Sequence, residues 1–270
     1  MIVAPGAYDG ATAMLVSAAG YGAVYMTGAG VSSTYGLPDY GLLTLTEMAA
    51  QAGRIARSVS IPTIADADTG YGNELNVTRT IQEYEAAGVA ALHIEDQLSP
   101  KRCGHLTGKE IVSREEFLIK IRAAVAARRD PDLAIIARTD ARAVAGMDEA
   151  IWRVNAALDA GADIGFVEAM TTLEETAAVP GLVRGPCLLN MVKGGVTPVF
   201  DLQQARDMGF DMVIAPALVF GTIVGAALDA LRSFKETGMH PELPGDLTPA
   251  RVFALFGSAT WDKLRTSVEA

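Results

Sequence analysis

The sequence predicts a (β/α)8 barrel, on three observations. Short β-rich runs alternate with amphipathic segments along the chain, giving about eight β/α units in roughly 240 of the 270 residues. The runs are apolar throughout, as parallel strands covered on both faces require. Polar or charged groups then stand at the end of one run after another. The structural rival is a doubly wound sheet, and its dinucleotide fingerprint is missing. Gly28-Ala29-Gly30 opens such a pattern, but Ser33 stands where the third glycine belongs, and the run follows the second strand, not the first.

The elements follow in order. Ile2 to Ala4 and Ala23 to Met26 read as strands, with a helix from about Gly10 to Ala19 between them. Glu47 to Ser58 reads as a helix, because Met48, Ala52, Ile55 and Ala56 fall close to one face. Thr63-Ile64-Ala65 is the next strand. Val77, Ile81 and Tyr84 mark a helix stopped by Gly88. Ala91 to Ile94 is a strand, and Ser113-Arg114-Glu115-Glu116 is a capping box before a helix reaching Arg128. Ala134 to Ala137 is a strand, Asp148 to Ala160 a helix closed by Gly161, and Ile164 to Val167 a strand. A short helix from Leu173 to Ala178, a strand from Cys187 to Leu189 and a helix from Leu202 to Met208 come next. Met212 to Ile214 is the last strand and Val219 to Phe234 the last long barrel helix. The proline-rich stretch His240–Gly245 then separates residues 1–245, the barrel domain, from 246–270, a C-terminal helical segment. That segment carries Val252, Phe253, Leu255, Phe256, Trp261 and Leu264, which an eight-unit barrel does not need.

Composition narrows the function classes. Half of the residues are hydrophobic, enough for one barrel-sized core. A net charge of −10 argues against nucleic-acid and anionic-membrane partners. Two cysteines and ten methionines fit a reducing cytosol. The N-terminus shows no signal peptide, and the uncharged run Met212–Leu228 falls short of the ~20 residues of a spanning helix.

In a barrel the C-terminal strand ends converge on one mouth, where the active site lies. Thr27, Asp66 and Asp68, Glu95 and Asp96, Arg138 to Asp140, Glu168 and Asn190 stand at six successive ends. Asp66-Ala67-Asp68 puts two carboxylates on one side of an extended chain, and hard oxygens so placed suit Mg²⁺ or Mn²⁺. A strand-end cap is the plain alternative. Arg138 suits a carboxylate or phosphate clamp, or a salt bridge to Glu168 or Asp140. Cys103 lies in Lys101-Arg102-Cys103-Gly104-His105, on a loop from Leu98 to Val112 that must lie on the surface or over a cleft. Its cationic neighbours favour thiolate and make the sulfur a usable acid or base. Cys187 sits in an apolar strand and reads as core, and no zinc spacing is present.

Lys101-Arg102-Cys103-Gly104-His105 resembles the signature of the isocitrate lyase and phosphoenolpyruvate mutase superfamily. So do Ile94-Glu95-Asp96-Gln97, Asp66 to Gly72 and Ala137-Arg138-Thr139-Asp140-Ala141. The similarity runs from Pro5 to about Phe220 and is closest to the methylisocitrate and 2,3-dimethylmalate lyases. The resemblance implies a barrel that swaps its C-terminal helix with a neighbour in a cytoplasmic homotetramer. It implies Mg²⁺ at Asp66 and Asp68, with Asp39 and Glu95 in the outer shell through water. Thr27, Gly28 and Ala29, beside Tyr25, would hold a 2-oxo acid. Gly104, His105, Arg138, Glu168 and Asn190 would line the substrate site. The implied reaction is a retro-aldol cleavage of a 2-hydroxy di- or tricarboxylate. A base near the metal, Tyr25 or a metal-bound water, takes the hydroxyl proton; pyruvate or glyoxylate departs, and Cys103 protonates the remaining carbanion.

The chain departs from the tricarboxylate-cleaving members in two places. Met191-Val192-Lys193 follows Asn190 where those enzymes have small hydroxyl residues, and Gly221 stands where methylisocitrate lyases carry an arginine. Each charge-assisted contact is worth ~1.5–3 kcal/mol, so the expected substrate is a dicarboxylate such as an alkylmalate. Phe166, where glyoxylate producers have a tryptophan, favours pyruvate. The alternatives are an oxaloacetate-cleaving hydrolase, a phosphonate mutase and a non-catalytic dicarboxylate-binding barrel. Pro216, where the hydrolase branch tends to have serine, counts against the first, and Cys103 against the second. The intact set Asp66, Asp68, Arg138 and Cys103 counts against the third.

Overall fold

The computed structural model describes residues 1–242, 245 and 247–268. The chain runs through β1 (Ile2–Ala7), α1 (Gly10–Ala18), β2 (Val24–Met26), α2 (Gly28–Thr34), α3 (Leu45–Ser58), β3 (Thr63–Asp66) and α4 (Glu74–Ala87). Next come β4 (Ala91–Glu95), α5 (Arg114–Ala127), β5 (Ala134–Thr139), α6 (Ala141–Ala145), α7 (Met147–Asp159), β6 (Ile164–Val167) and α8 (Leu173–Leu182). The chain ends with β7 (Cys187–Asn190), α9 (Leu202–Asp207), β8 (Met212–Ala215), α10 (Ala217–Thr237), α11 (Pro249–Leu255) and α12 (Ser258–Val268). The strands form a closed barrel in sequence order, and β8 returns to pair with β1, all in parallel. The expected (β/α)8 barrel is therefore present.

The pleat decides which residues reach the mouth. On β4, Ala91 faces the barrel interior with Tyr25, Ile64, Ile136, Phe166, Leu188 and Ile214, while Leu92 and Ile94 pack outward against the helices. Successive side chains alternate, so His93 and Glu95 share the inward face of Ala91. The same rule on β5 puts Ile136 and Arg138 inward, and the register sets Glu95 opposite Arg138. Fully buried side chains such as Phe166 and Ile136 each contribute ~1.5–3 kcal/mol, so the layer below the mouth is a packed plug, not a pore.

Several boundaries differ from the sequence reading. α3 starts at Leu45, before Glu47, because Thr44 is its N-cap and Glu47 returns the bond in a capping box. α2 and α6 were not expected; both are short and start directly where a strand ends. α8 continues past Ala178 to Leu182 with Pro180 inside it. The C-terminal segment is two helices, broken where Gly257 adopts φ +79°. The expected domain boundary falls at Asp246, which with Leu243 and Pro244 lies outside the described residues.

α10 corrects the membrane argument. The uncharged run looked too short, yet the helix that forms is 21 residues and, among the described residues, is long and apolar enough to span a bilayer. Val219 packs on the core and Phe220 on Tyr8, but the rest of its apolar surface is open: Leu218, Ile223, Val224, Leu228, Leu231 and Phe234 are all exposed.

Candidate active site at the barrel mouth

The floor of the mouth is a neutral pair. Tyr25 Oη and His93 Nε2 share a 2.8 Å hydrogen bond, and His93 Nε2 lies 3.6 Å from Asp66 Oδ1. Burial holds His93 down at about 4, so its ring is uncharged at neutral pH. Burial, reinforced by Asp66, pushes the Tyr25 phenol well above its ordinary value. Tyr25 thus carries its proton at neutral pH and stands as a hydrogen-bonding phenol beside His93.

Asp66 ends β3 and accepts from the backbone N–H of Gly28 at 3.3 Å and of Asp68 at 3.0 Å. Burial alone would raise its carboxyl, but His93, Lys101 and Arg138 outweigh it and bring it to about 2. Because His93 is neutral, Lys101 and Arg138 are the charges that hold Asp66 ionised. Gly28 is required here, since a Cβ would lie 2.4 Å from Asp66 Oδ2. Asp68 has φ 47°, a left-handed conformation that turns the chain out of the barrel. Burial raises it to about 6, against the pull of Lys101. The buried Lys101 ammonium stands between Asp39, at 2.5 Å, and Asp68, at 2.9 Å.

Arg138 meets three carboxylates: Asp140 at 3.0 Å, Glu95 at 3.1 Å and Glu168 at 3.7 Å. The salt bridges weighed for it are both present, and Glu95 joins them. Burial pushes the Glu95 carboxyl well above the usual range despite Arg138 and Lys101. Beneath this layer Asp96 accepts from Thr139 Oγ1 at 2.6 Å, Asp140 N at 2.8 Å and Arg153 Nη1 at 3.1 Å.

The loop after β4 closes over these groups. Gly104 lies against the site: a Cβ there would fall 2.6 Å from both Arg138 Nη2 and Glu168 Cγ. His105 Nε2 reaches Glu168 Oε1 at 3.6 Å and Asn190 Nδ2 at 3.5 Å, and its Nδ1 accepts from Val196 N at 3.2 Å. Asn190 Nδ2 donates to Glu168 Oε2 at 3.0 Å. The structure thus brings Gly104, His105, Arg138, Glu168 and Asn190 together as the sequence suggested. Cys103 is partly buried beside them, but the expected thiolate is overturned. Burial pushes the thiol up, and Lys101 and Arg138, both committed to carboxylates, do not bring it back. Cys103 therefore carries its proton at neutral pH.

The mouth is short of positive charge. Asp39, Asp66, Asp68, Glu95 and Glu168 surround Lys101 and Arg138. Asp68 Oδ1 is met only by the Lys101 ammonium and Glu95 Oε2 only by Arg138, while the buried Glu95 Oε1 has neither a hydrogen bond nor an ion-pair partner. Unsatisfied buried carboxylate oxygens are costly unless a cation or donor meets them, and this donor set fits a hard divalent ion. Among the described residues no three His, Cys, Asp or Glu side chains converge as a closed cage. An ion held by Asp66 and Asp68 must then complete its shell with water and ligand, as Mg²⁺ does readily.

Sequence reasoning missed His93, which looked like one more residue of an apolar strand, and Lys109 and Arg153. The alternation on β4 was the available signal for His93. Nothing local marks Arg153, whose partner Asp96 is 57 residues away.

The sequence matches the family model described as phosphoenolpyruvate phosphomutase over residues 1–235. It is 48% identical to the 2,3-dimethylmalate lyase of Eubacterium barkeri, covering 87% of this chain and 82% of that one. It is 43% identical to the 2-methylisocitrate lyase of Aeropyrum pernix over 97% of this chain and 85% of the relative. Among solved structures, a 2,3-dimethylmalate lyase superposes with a TM-score of 0.94 at 44% identity, covering 99% and 90% of the two chains. An oxaloacetate acetylhydrolase with 3,3-difluorooxalacetate gives 0.96 at 38%, covering 100% and 93%. A phosphonopyruvate hydrolase with oxalate and Mg²⁺ gives 0.87 at 31%, covering 98% and 93%.

Proposed function

Because this chain belongs to the phosphoenolpyruvate phosphomutase family of the isocitrate lyase superfamily, we propose that it is a divalent-metal-dependent lyase. It cleaves the C2–C3 bond of a 2-hydroxy dicarboxylate of the alkylmalate kind. The observation that carries this is the assembly at the mouth: five carboxylates around two cations, with Glu95 Oε1 unpartnered, on one side, and a protonated thiol on a closing loop on the other.

Asp66 and Asp68 would hold Mg²⁺, with Asp39 and Glu95 outside them. Bound there, the ion would polarise the oxygen at C2 and stabilise negative charge on it. Thr27, Gly28 and Ala29, at the start of α2, face the same corner and orient the 2-oxo acid half. Glu95, ionised once a cation is in place, would take the proton of the 2-hydroxyl through Oε1, which has neither a hydrogen bond nor an ion-pair partner. The C2–C3 electrons pass to C3 of the half that does not become the 2-oxo acid, where Arg138 offsets the charge developing on its carboxylate. Cys103 then delivers its proton to that carbon. Gly104 and His105 hold the loop shut, so that solvent does not.

The substrate is a dicarboxylate because the two positions that could serve a third carboxylate face elsewhere. Lys193 and Gly221 line a separate apolar groove of about 590 Å³ with Val3, Tyr21, Phe200 and Leu218. Phe166 lies directly under Arg138, with its ring centre 5.2 Å from the guanidinium carbon, and a phenyl here in place of the indole of glyoxylate producers favours pyruvate as the product.

That groove and the open face of α10 support a second part of the proposal. The groove opens beside the start of α10, which beyond Phe220 leaves its apolar face uncovered. The C-terminal helices of a neighbouring subunit fill it, in a homotetramer. Trp261 and Phe253, 70% and 63% exposed, belong to the exchanged surface. An aqueous partner suits α10 better than a bilayer, since Asp229, Arg232 and Lys235 interrupt its second half. With both cysteines free, the enzyme belongs in a reducing cytosol.

The test is a screen of 2-hydroxy di- and tricarboxylates and oxaloacetate, with and without EDTA, following pyruvate, glyoxylate and oxalate separately. Mg²⁺-dependent pyruvate from an alkylmalate supports the proposal. Oxalate from oxaloacetate would replace it with the hydrolase reading, which the similarity to the acetylhydrolase keeps in view.

A further inference from the structure

The loop that carries Cys103 is fastened by side chains outside the chemistry described above. Its neck is closed by Leu98 N donating to Glu110 O at 2.8 Å, beside an antiparallel bridge between Gln97 and Ile111. Within the loop, the Gln97 amide grips the backbone of Arg102 from both ends: Nε2 donates to Arg102 O at 2.8 Å, and Oε1 accepts from Arg102 N at 2.9 Å. Lys109 Nζ donates to Gly104 O and to Asp140 Oδ1, the latter at 2.8 Å. The residue on each side of Cys103 is therefore pinned by a side chain from the neck.

Lys109 is the more telling of the two. Its side chain is 2% exposed, and a lysine seldom gives up its hydration unless paired. Here it gains one carboxylate oxygen and one carbonyl, and the carbonyl belongs to the lid. Asp140 in turn accepts from Arg138 Nε at 3.0 Å through its other oxygen. One carboxylate thus joins the lid, through Lys109, to the guanidinium that faces the substrate. If the lid lifts, Lys109 loses Gly104 O, and the balance of Asp140 between its two cations shifts.

We propose that Lys109 and Gln97 are positioning residues that set the closed placement of Cys103, with Lys109 tying that placement to Arg138 through Asp140. As an account of turnover this rests on the lyase reading above; as an account of where the thiol sits it does not.

The experiment measures iodoacetamide labelling of Cys103 at the peptide level, with Mg²⁺ and oxalate present and absent, so Cys187 does not interfere. Lys109→Met and Gln97→Met should each raise the Cys103 labelling rate about tenfold or more, with the fold intact by circular dichroism. Lys109→Arg, which keeps a donor and a charge, should stay nearer the wild type. On a cleaved substrate, Lys109→Met should lower kcat by about 100-fold while KM moves less than about threefold, because the thiol is misplaced and not removed. Labelling within twofold of wild type in folded Lys109→Met overturns the proposal. If that variant does not fold, the same result in Gln97→Met overturns it. Faster labelling in a chain that cleaves no 2-hydroxy acid supports the positioning and removes only the lyase reading.

Discussion

Gly104 lies so close to Arg138 that a single added carbon would fall 2.6 Å from the guanidinium. The lid backbone therefore seats directly on the residue that faces the substrate, and glycine is needed for space, not for a left-handed turn. Gly104→Ala should hold the lid off its seat. Turnover should fall about 100-fold or more, while stability stays within about 1 kcal/mol, since lifting the loop relieves the clash without opening the barrel core. Steady-state kinetics beside thermal melting checks both.

Asp140 serves two buried cations, and Arg138 and Lys109 hold its carboxyl at about 2 against the burial that would raise it. The folded value is below the ordinary one of 3.8, so its stabilisation is complete above about pH 4. It is lost as pH falls toward about 2. Asp140→Asn should cost ~3–5 kcal/mol at neutral pH, because both cations lose a buried partner. Its Tm should also fall less steeply than the wild type's over that acid window. Melting curves from pH 2 to 7 decide it.

Mg²⁺ should stabilise the folded chain, by ~2.7 kcal/mol at a hundredfold excess over its dissociation constant. Asp68 sits at about 6 without the ion, so protons compete for the site and the gain should shrink as pH drops below 6. Asp66→Asn and Asp68→Asn should lose most of the shift. Differential scanning calorimetry across pH, with EDTA as reference, reads it.

The Cys103 thiol is pushed up by burial. Its labelling should rise with pH later than that of an exposed cysteine, and should show no plateau at neutral pH as a thiolate would. A pH series of Cys103 alkylation tests this.

The strands were legible because both their faces are apolar, and the mouth was legible because each strand ends in a polar group. Asp66, Glu95, Arg138 and Glu168 came from that pattern alone. Their partners did not, because partners depend on register: Glu95 meets Arg138 only because β4 and β5 align them. The thiolate expectation failed for the same reason. Lys101 and Arg102 are neighbours of Cys103 in sequence, yet Lys101 is spent on Asp39 and Asp68. The reach of α10 was misjudged because hydropathy counts only the uncharged run, while a helix continues through charges placed on one side.

The most direct measurement compares wild type with Cys103→Ser on an alkylmalate cleaved by the wild type, with Mg²⁺ present, following 2-oxo acid release and oxalate binding together. The expected result is turnover lowered by about 1,000-fold or more with oxalate affinity within a few-fold. Turnover left intact by the loss of the sulfur would contradict the assignment of Cys103 as the acid that completes the reaction.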